Sequence, residues 1–137
     1  MADIVVGYDG SDCGKHALEQ AISLAKELGD KIVIASSYEV SPLGGEVQDM
    51  ATALKERAKT ILEQGVRRVK AAGVEVDPVV VSERAADALA ELAEQRKARM
   101  IVVGTYGDSP IKGAILGSTP HKLLHISKAP VLVVPAG

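Results

Sequence analysis

The chain contains no tryptophan and no phenylalanine, and only three tyrosines among its 137 residues. A core without large rings must be filled by Val, Ile, Leu and Ala. That suits helices packed closely on a β-branched sheet better than an aromatic-rich sandwich. A single cysteine, Cys13, has no internal partner, which excludes a disulfide scaffold. No charge of one sign dominates: 16 Lys and Arg stand against 18 Asp and Glu, for a formal net charge of −2. With so few rings and no basic excess, the composition argues against a nucleic-acid partner. No apolar window reaches the length of a membrane span, so no membrane role is expected. Met1-Ala2-Asp3-Ile4 has neither a basic segment nor a long apolar one, which predicts no export signal and a cytoplasmic address.

What is present is a hydrophobic content of 47%, enough for one domain spanning 1–137. Two periodicities alternate along it. Ile4-Val5-Val6 reads as a short buried strand and leads through Gly7-Tyr8-Asp9-Gly10 to Ser11, a natural helix N-cap. A 3.6-residue pattern (Ala17, Leu18, Ala21, Ile22, Ala25, Leu28) follows and stops at Gly29. Ile32–Ala35 is the second strand. A Pro- and Gly-bearing loop from Ser41 to Gly45 precedes a long helix with Met50, Leu54, Ala58, Ile61, Leu62, Val66 and Val69 on one stripe, ending near Gly73.

Val74–Val81 is the third strand, and Pro78 within it predicts a sheet edge, because proline cannot donate to a ladder. A third helix carries Ala88, Leu89, Leu92 and Ala93. Met100–Val103 is the fourth strand, closed by Gly104. A last helix holds Leu123, Leu124 and Ile126, and Val131–Val134, fenced by Pro130 and Pro135, is the fifth strand. Solid apolar strands alternating with helices predict a doubly wound α/β domain with a five-stranded parallel sheet. In such sheets ligands bind beyond the carboxyl ends of the strands, where the strand order reverses.

The loop after the fourth strand carries glycines at 104, 107 and 117, and Ser118 then opens a helix with Pro120 in its first turn. Glycines admit close backbone approach, and free N–H groups at a helix start favour an anion. A plain chain reversal at Gly104 and Gly107 is an equal reading of the same residues. The spacing Gly-x2-Gly-x9-Gly-Ser (Gly104, Gly107, Gly117, Ser118) resembles the ATP-binding signature of the universal stress protein family. Ile4–Ser11, Arg99–Gly104 and Lys128–Pro135 are similar to that family's opening strand and turn, its pre-loop strand and its closing strand.

The resemblance implies strand order 3-2-1-4-5 in an adenine-nucleotide-hydrolase-like fold, and an ATP site between strands one and four. Carried over by position, Asp9 and Ser37 hold the adenosine end, with Gly7 and Tyr8 in the wall. Val103 and Gly104 lie against the nucleotide, and Gly107, Gly117, Ser118 and Thr119 cradle the phosphates. Asp9 is also suited to accept from a ribose hydroxyl or to reach the nucleotide through Mg, although a turn-forming Asp beside Gly10 explains it equally. The uninterrupted Val131–Val134 strand predicts an edge that needs covering, and the resemblance implies a homodimer through it.

The expected function is an ATP-binding stress or regulatory module, homodimeric, not an enzyme, and read by an unidentified protein partner. Two alternatives stay open. One is a stress interaction protein of this fold that binds no nucleotide: Asp108, Ser109 and Pro110 stand where the family commonly has a basic residue and another glycine. The other is a slow ATPase or autophosphorylating protein with Ser118 or Thr119 as acceptor. Asp9–His16 is not a P-loop, since Asp9 replaces its first glycine and His16 its last hydroxyl. Cys13 is expected to be a small packing residue at a helix start. His121 and His125, at i and i+4, lack a third metal ligand beside them.

Overall fold

The computed structural model describes residues 1–38, 47–82, 84–106 and 116–136. β1 (Asp3–Gly7), β2 (Lys31–Ser37), β3 (Val76–Val81), β4 (Met100–Gly104) and β5 (Val131–Val134) form one parallel sheet in the order β3-β2-β1-β4-β5. The helices α1 (Asp12–Leu28), α2 (Val47–Ala71), α3 (Ala85–Arg96) and α4 (Ser118–Ile126) fill the crossovers. The expected strand order is therefore present. The loop at Ser41–Gly45 lies outside the described residues.

Alternation along the strands explains why all read as apolar. Ile4, Val6, Ile32, Ile34 and Val102 face α1 and α2, with Leu18, Ile22, Leu62 and Val69 packed on them. Val5, Val33, Ala35, Ile101 and Val103 face α3 and α4, against Leu89, Ala93 and Leu123. Each such fully buried Ile, Leu or Val contributes on the order of 1.5–3 kcal/mol. Small residues let the helices approach. Gly65 of α2 has no room for a side chain, because a Cβ there would fall 2.4 Å from Ile34 Cδ1 and 3.1 Å from the Tyr8 ring.

The caps follow the sequence. The Ser11 side chain accepts from Gly14 N–H at the start of α1, and Gly29 closes the helix at φ 71°. At the far edge, Ile32 N donates to Glu75 O and Tyr38 N to Val81 O. That phase puts the backbone groups of Glu75, Asp77, Val79 and Val81 on β2. Pro78 therefore faces away from the sheet, where its missing N–H breaks no ladder bond. The same logic at β5, from Ile101 N to Pro130 O and Thr105 N to Val134 O, turns the backbone groups of Val131 and Val133 outward.

Four apolar helix residues of the sequence pattern are exposed: Leu28 is 44% exposed, Met50 50%, Leu124 57% and Ile126 40%. α2 has 25 residues against seven in β2, roughly 37 Å of helix over about 23 Å of strand. Its first turns overhang the sheet and take Met50 with them. On the nine-residue α4 the inward position is Leu123. Leu124 is a third of a turn away, and Ile126 is the helix's final residue.

The amino ends of the strands are tied by charge. Asp77 accepts from Lys31 at 2.8 Å and Arg96 at 2.9 Å, with Asp3 close to both cations. Asp30, only 5% exposed, takes the Arg99 guanidinium and the Ala2 N–H. The Arg99 hydrogen bond holds the Asp30 carboxyl below the usual carboxylate range against the opposing effect of burial. A lowered folded-state pKa gives stability that is complete above the unfolded value of about 4 and is lost as pH falls through the folded one. Asp30→Asn is expected to lower the thermal midpoint by roughly 5 °C at pH 7. Calorimetric scans from pH 7 to 2 should show that difference shrinking only below about pH 4.

Candidate functional site

At the carboxyl ends of the strands the crossovers leave β1 upward toward α1 and β4 away toward α4, and a cavity of about 460 Å³ opens between them. This is where the strand order reverses. β1 and its turn supply Gly7, Tyr8 and Asp9, and β2 supplies Ala35, Ser36 and Ser37. From β4 come Val103 and Gly104, and from the start of α4 Gly117, Ser118, Thr119 and Pro120. Of the ten residues expected to hold nucleotide, nine thus line one cavity; Gly107 lies outside the described residues, as do Asp108, Ser109, Pro110 and Lys112.

Each is placed by a local cause. Tyr8 continues β1 by donating its N–H to Ala35 O, and Ser36 Oγ closes the same corner by donating to Tyr8 O at 2.7 Å. The Tyr8 ring is buried beneath α2, and burial, reinforced by the charges of Asp9 and Glu19, raises its phenol pKa. Asp9 forms an Asx turn, its Oδ1 accepting from Ser11 N–H and Ser11 Oγ, while Gly10 at φ 77° reverses the chain. The turn-forming reading of Asp9 is therefore correct, and the residue still lines the cavity. Ser37 is exposed at the cavity wall.

Gly104 answers to packing. A Cβ there would meet the Cys13 Cβ at 2.7 Å and the Cys13 carbonyl carbon and oxygen at 2.8 and 2.9 Å. Cys13 itself is buried in the first turn of α1, with its Sγ 3.4 Å from Thr105 Oγ1. Gly117 donates its N–H to Thr105 O at 2.6 Å, which ties the far end of the glycine loop to its beginning. Being glycine, it offers α4 no side-chain cap. The N–H groups of Ser118 and Thr119 thus begin the helix without an intrahelical partner, at the positive end of its dipole and on the cavity wall.

α2 forms the remaining wall with Leu54, Arg57, Ala58 and Ile61. Leu54, Ala58 and Ile61 belong to the apolar stripe of the sequence. Arg57 interrupts that stripe with a charge, and its place three residues after Leu54 and four before Ile61 puts it on the same helix face. Tyr38, Tyr106, Gly14 and Leu89 also line the cavity without having been expected. His121 and His125 touch edge to face at 5.1 Å on an exposed surface, and among the described residues no three potential ligands cluster for a metal. No described helix is long and apolar enough to cross a membrane.

This geometry matches known proteins. The model of the universal stress protein family matches residues 1–135. Universal stress protein Rv1636 of Mycobacterium tuberculosis is 35% identical over 140 residues, covering 96% of this chain and 94% of that protein. A universal stress protein solved in complex with cAMP is 36% identical, with TM-score 0.73 and coverage of 99% and 98%. Protein MJ0577, 20% identical, superposes with TM-score 0.89 over 99% of this chain and 96% of its own, a likeness of fold. The chain belongs to the universal stress protein family.

Gly104→Ala is expected to destabilise the protein by about 1–3 kcal/mol, because the added methyl meets α1 backbone rather than a movable side chain. Urea unfolding measures it. An unchanged midpoint would mean that α1 can move off β4 at no cost.

Proposed function

We propose that the protein is an adenine-nucleotide-binding regulatory module that takes ATP at the switch-point cavity, acts as a homodimer and is not an enzyme. The observation that carries the reading is the uncapped start of α4, whose Ser118 and Thr119 N–H groups open on the cavity. The cAMP complex of a relative 36% identical over nearly the whole chain supports an adenine nucleotide as the ligand class.

In this reading the phosphates rest on Gly117, Ser118 and Thr119, joined by Gly107, and the sugar lies beside Asp9. The Asp9 Oδ1 is occupied by Ser11, so its second oxygen is the one to accept a ribose hydroxyl or to reach Mg. Val103 and Gly104 floor the site, and Gly7, Tyr8 and Ser37 border the base. The described lining residues hold no histidine, cysteine or lysine, and Asp9, their one carboxylate, is engaged by Ser11. Nucleotide would act by stabilising the Gly104–Ser118 loop and so changing a surface that a cytoplasmic protein partner reads. The dimer would form across β5, where the outward backbone groups of Val131 and Val133 can pair with a second copy.

Acid denaturation of protein purified without added nucleotide, followed by mass-detected ion exchange, is expected to release an adenine nucleotide. Calorimetric titration should give saturable ATP binding below millimolar, weakened at least tenfold in Gly117→Ala, whose methyl would come within 3.0 Å of Thr105 O. An empty supernatant together with no heat at millimolar ATP would sink the nucleotide reading.

Sedimentation velocity tests the assembly separately. Val133→Pro removes an outward donor and leaves the bonds to β4 alone, so it should convert a dimer to a monomer. A wild-type monomer would dismiss the β5 interface.

A further inference from the structure

Two described residues lining the cavity carry a full charge, Asp9 and Arg57, and their situations differ. Asp9 is held in its turn by Ser11. Arg57 is exposed and makes no hydrogen bond or ion pair with the described residues, whereas Arg68, Arg96 and Arg99 each grip a carboxylate. An unpaired guanidinium at the mouth of a cavity is available to whatever enters it.

Its place in the fold decides what it can reach. α2 lies over β2 and β3, whereas the start of α4 lies past β4, on the other side of β1. At least two strand spacings, roughly 10 Å or more, separate those walls. A ligand with its phosphates on Ser118 and Thr119 turns its opposite end toward α2. There Leu54, Ala58 and Ile61 offer an apolar bed around the arginine. Of the chain's three tyrosines, Tyr8 has its ring packed against Gly65, while Tyr38 and Tyr106 line the same cavity. A guanidinium is the other planar group that stacks on a base, and it does so best at a partly desolvated rim.

We infer that the Arg57 guanidinium lies on the face of the bound purine and recognises the base, not the phosphate chain; this rests on the adenine-nucleotide reading above. Arg57 is then a base-stacking residue supplied by a helix that carries none of the family-like loop residues.

The test is calorimetric titration of the full chain and of Arg57→Ala and Arg57→Lys with AMP and with ATP, at low and at high salt. Stacking predicts that Arg57→Ala weakens AMP and ATP by the same factor, roughly 5- to 30-fold. Lysine recovers little of it, since it keeps the charge but loses the plane, and the ratio to wild type is insensitive to salt. A loss that grows from AMP to ATP, or that lysine restores, overturns the inference by giving Arg57 to the phosphates. Equal affinities in all three proteins overturn it by leaving Arg57 in solvent. The ligand-free thermal midpoint should be unchanged because Arg57 is exposed. Failure of the wild type to bind either nucleotide defeats the underlying reading instead, and the wild-type titration reads that outcome directly.

Discussion

The first turn of α1 rests directly on the end of β4, with the Gly104 Cα against the Cys13 backbone. That contact sets the geometry of everything around it. Because α1 is drawn down on one side of the sheet and α4 departs on the other, a gap must open where the two crossovers part. Gly7 repeats the constraint one strand over, where a side chain would press on Leu89 and Val103. The glycines at the strand ends thus shape the cavity first through helix packing.

The two ends of the sheet are built from opposite materials. At the amino ends, Asp3, Lys31, Asp77, Arg96, Asp30 and Arg99 tie three strands and the chain terminus together, and their charges are mostly spent on one another. At the carboxyl ends the charges are few, the side chains small and the helix start uncapped. A protein that holds its strands at one end by paired charges can leave the other end under-satisfied, which is the condition for binding. The overhang of α2 follows the same division, since the turns that run past β2 become a wall of the cavity.

Much of the site was legible because its parts are local. Ser11 and Gly29 as caps, Pro78 as an edge marker and Ser118 as a helix start each depend on a few neighbouring residues and on backbone conformation. Asp9 was legible in both its readings, and the structure shows them to be compatible: one carboxylate oxygen makes the turn while the residue borders the cavity. Met50 is exposed although it lies on the apolar stripe of α2. Periodicity reports which face of a helix is apolar, but not where the sheet beneath that face ends.

The sequence by itself determined the element order, the parallel sheet, its edge at β3 and the family, because apolar period, caps and loop glycines are short-range signals that survive without coordinates. The tertiary structure alone decided that Gly104 is a packing glycine, that Gly65 makes room for the Tyr8 ring, and that α2 walls the cavity with Arg57 at its rim. Those facts depend on which segments distant in sequence come within a few ångströms. Burial of both sheet faces and helix overhang set that distance, and no periodicity within one segment encodes it.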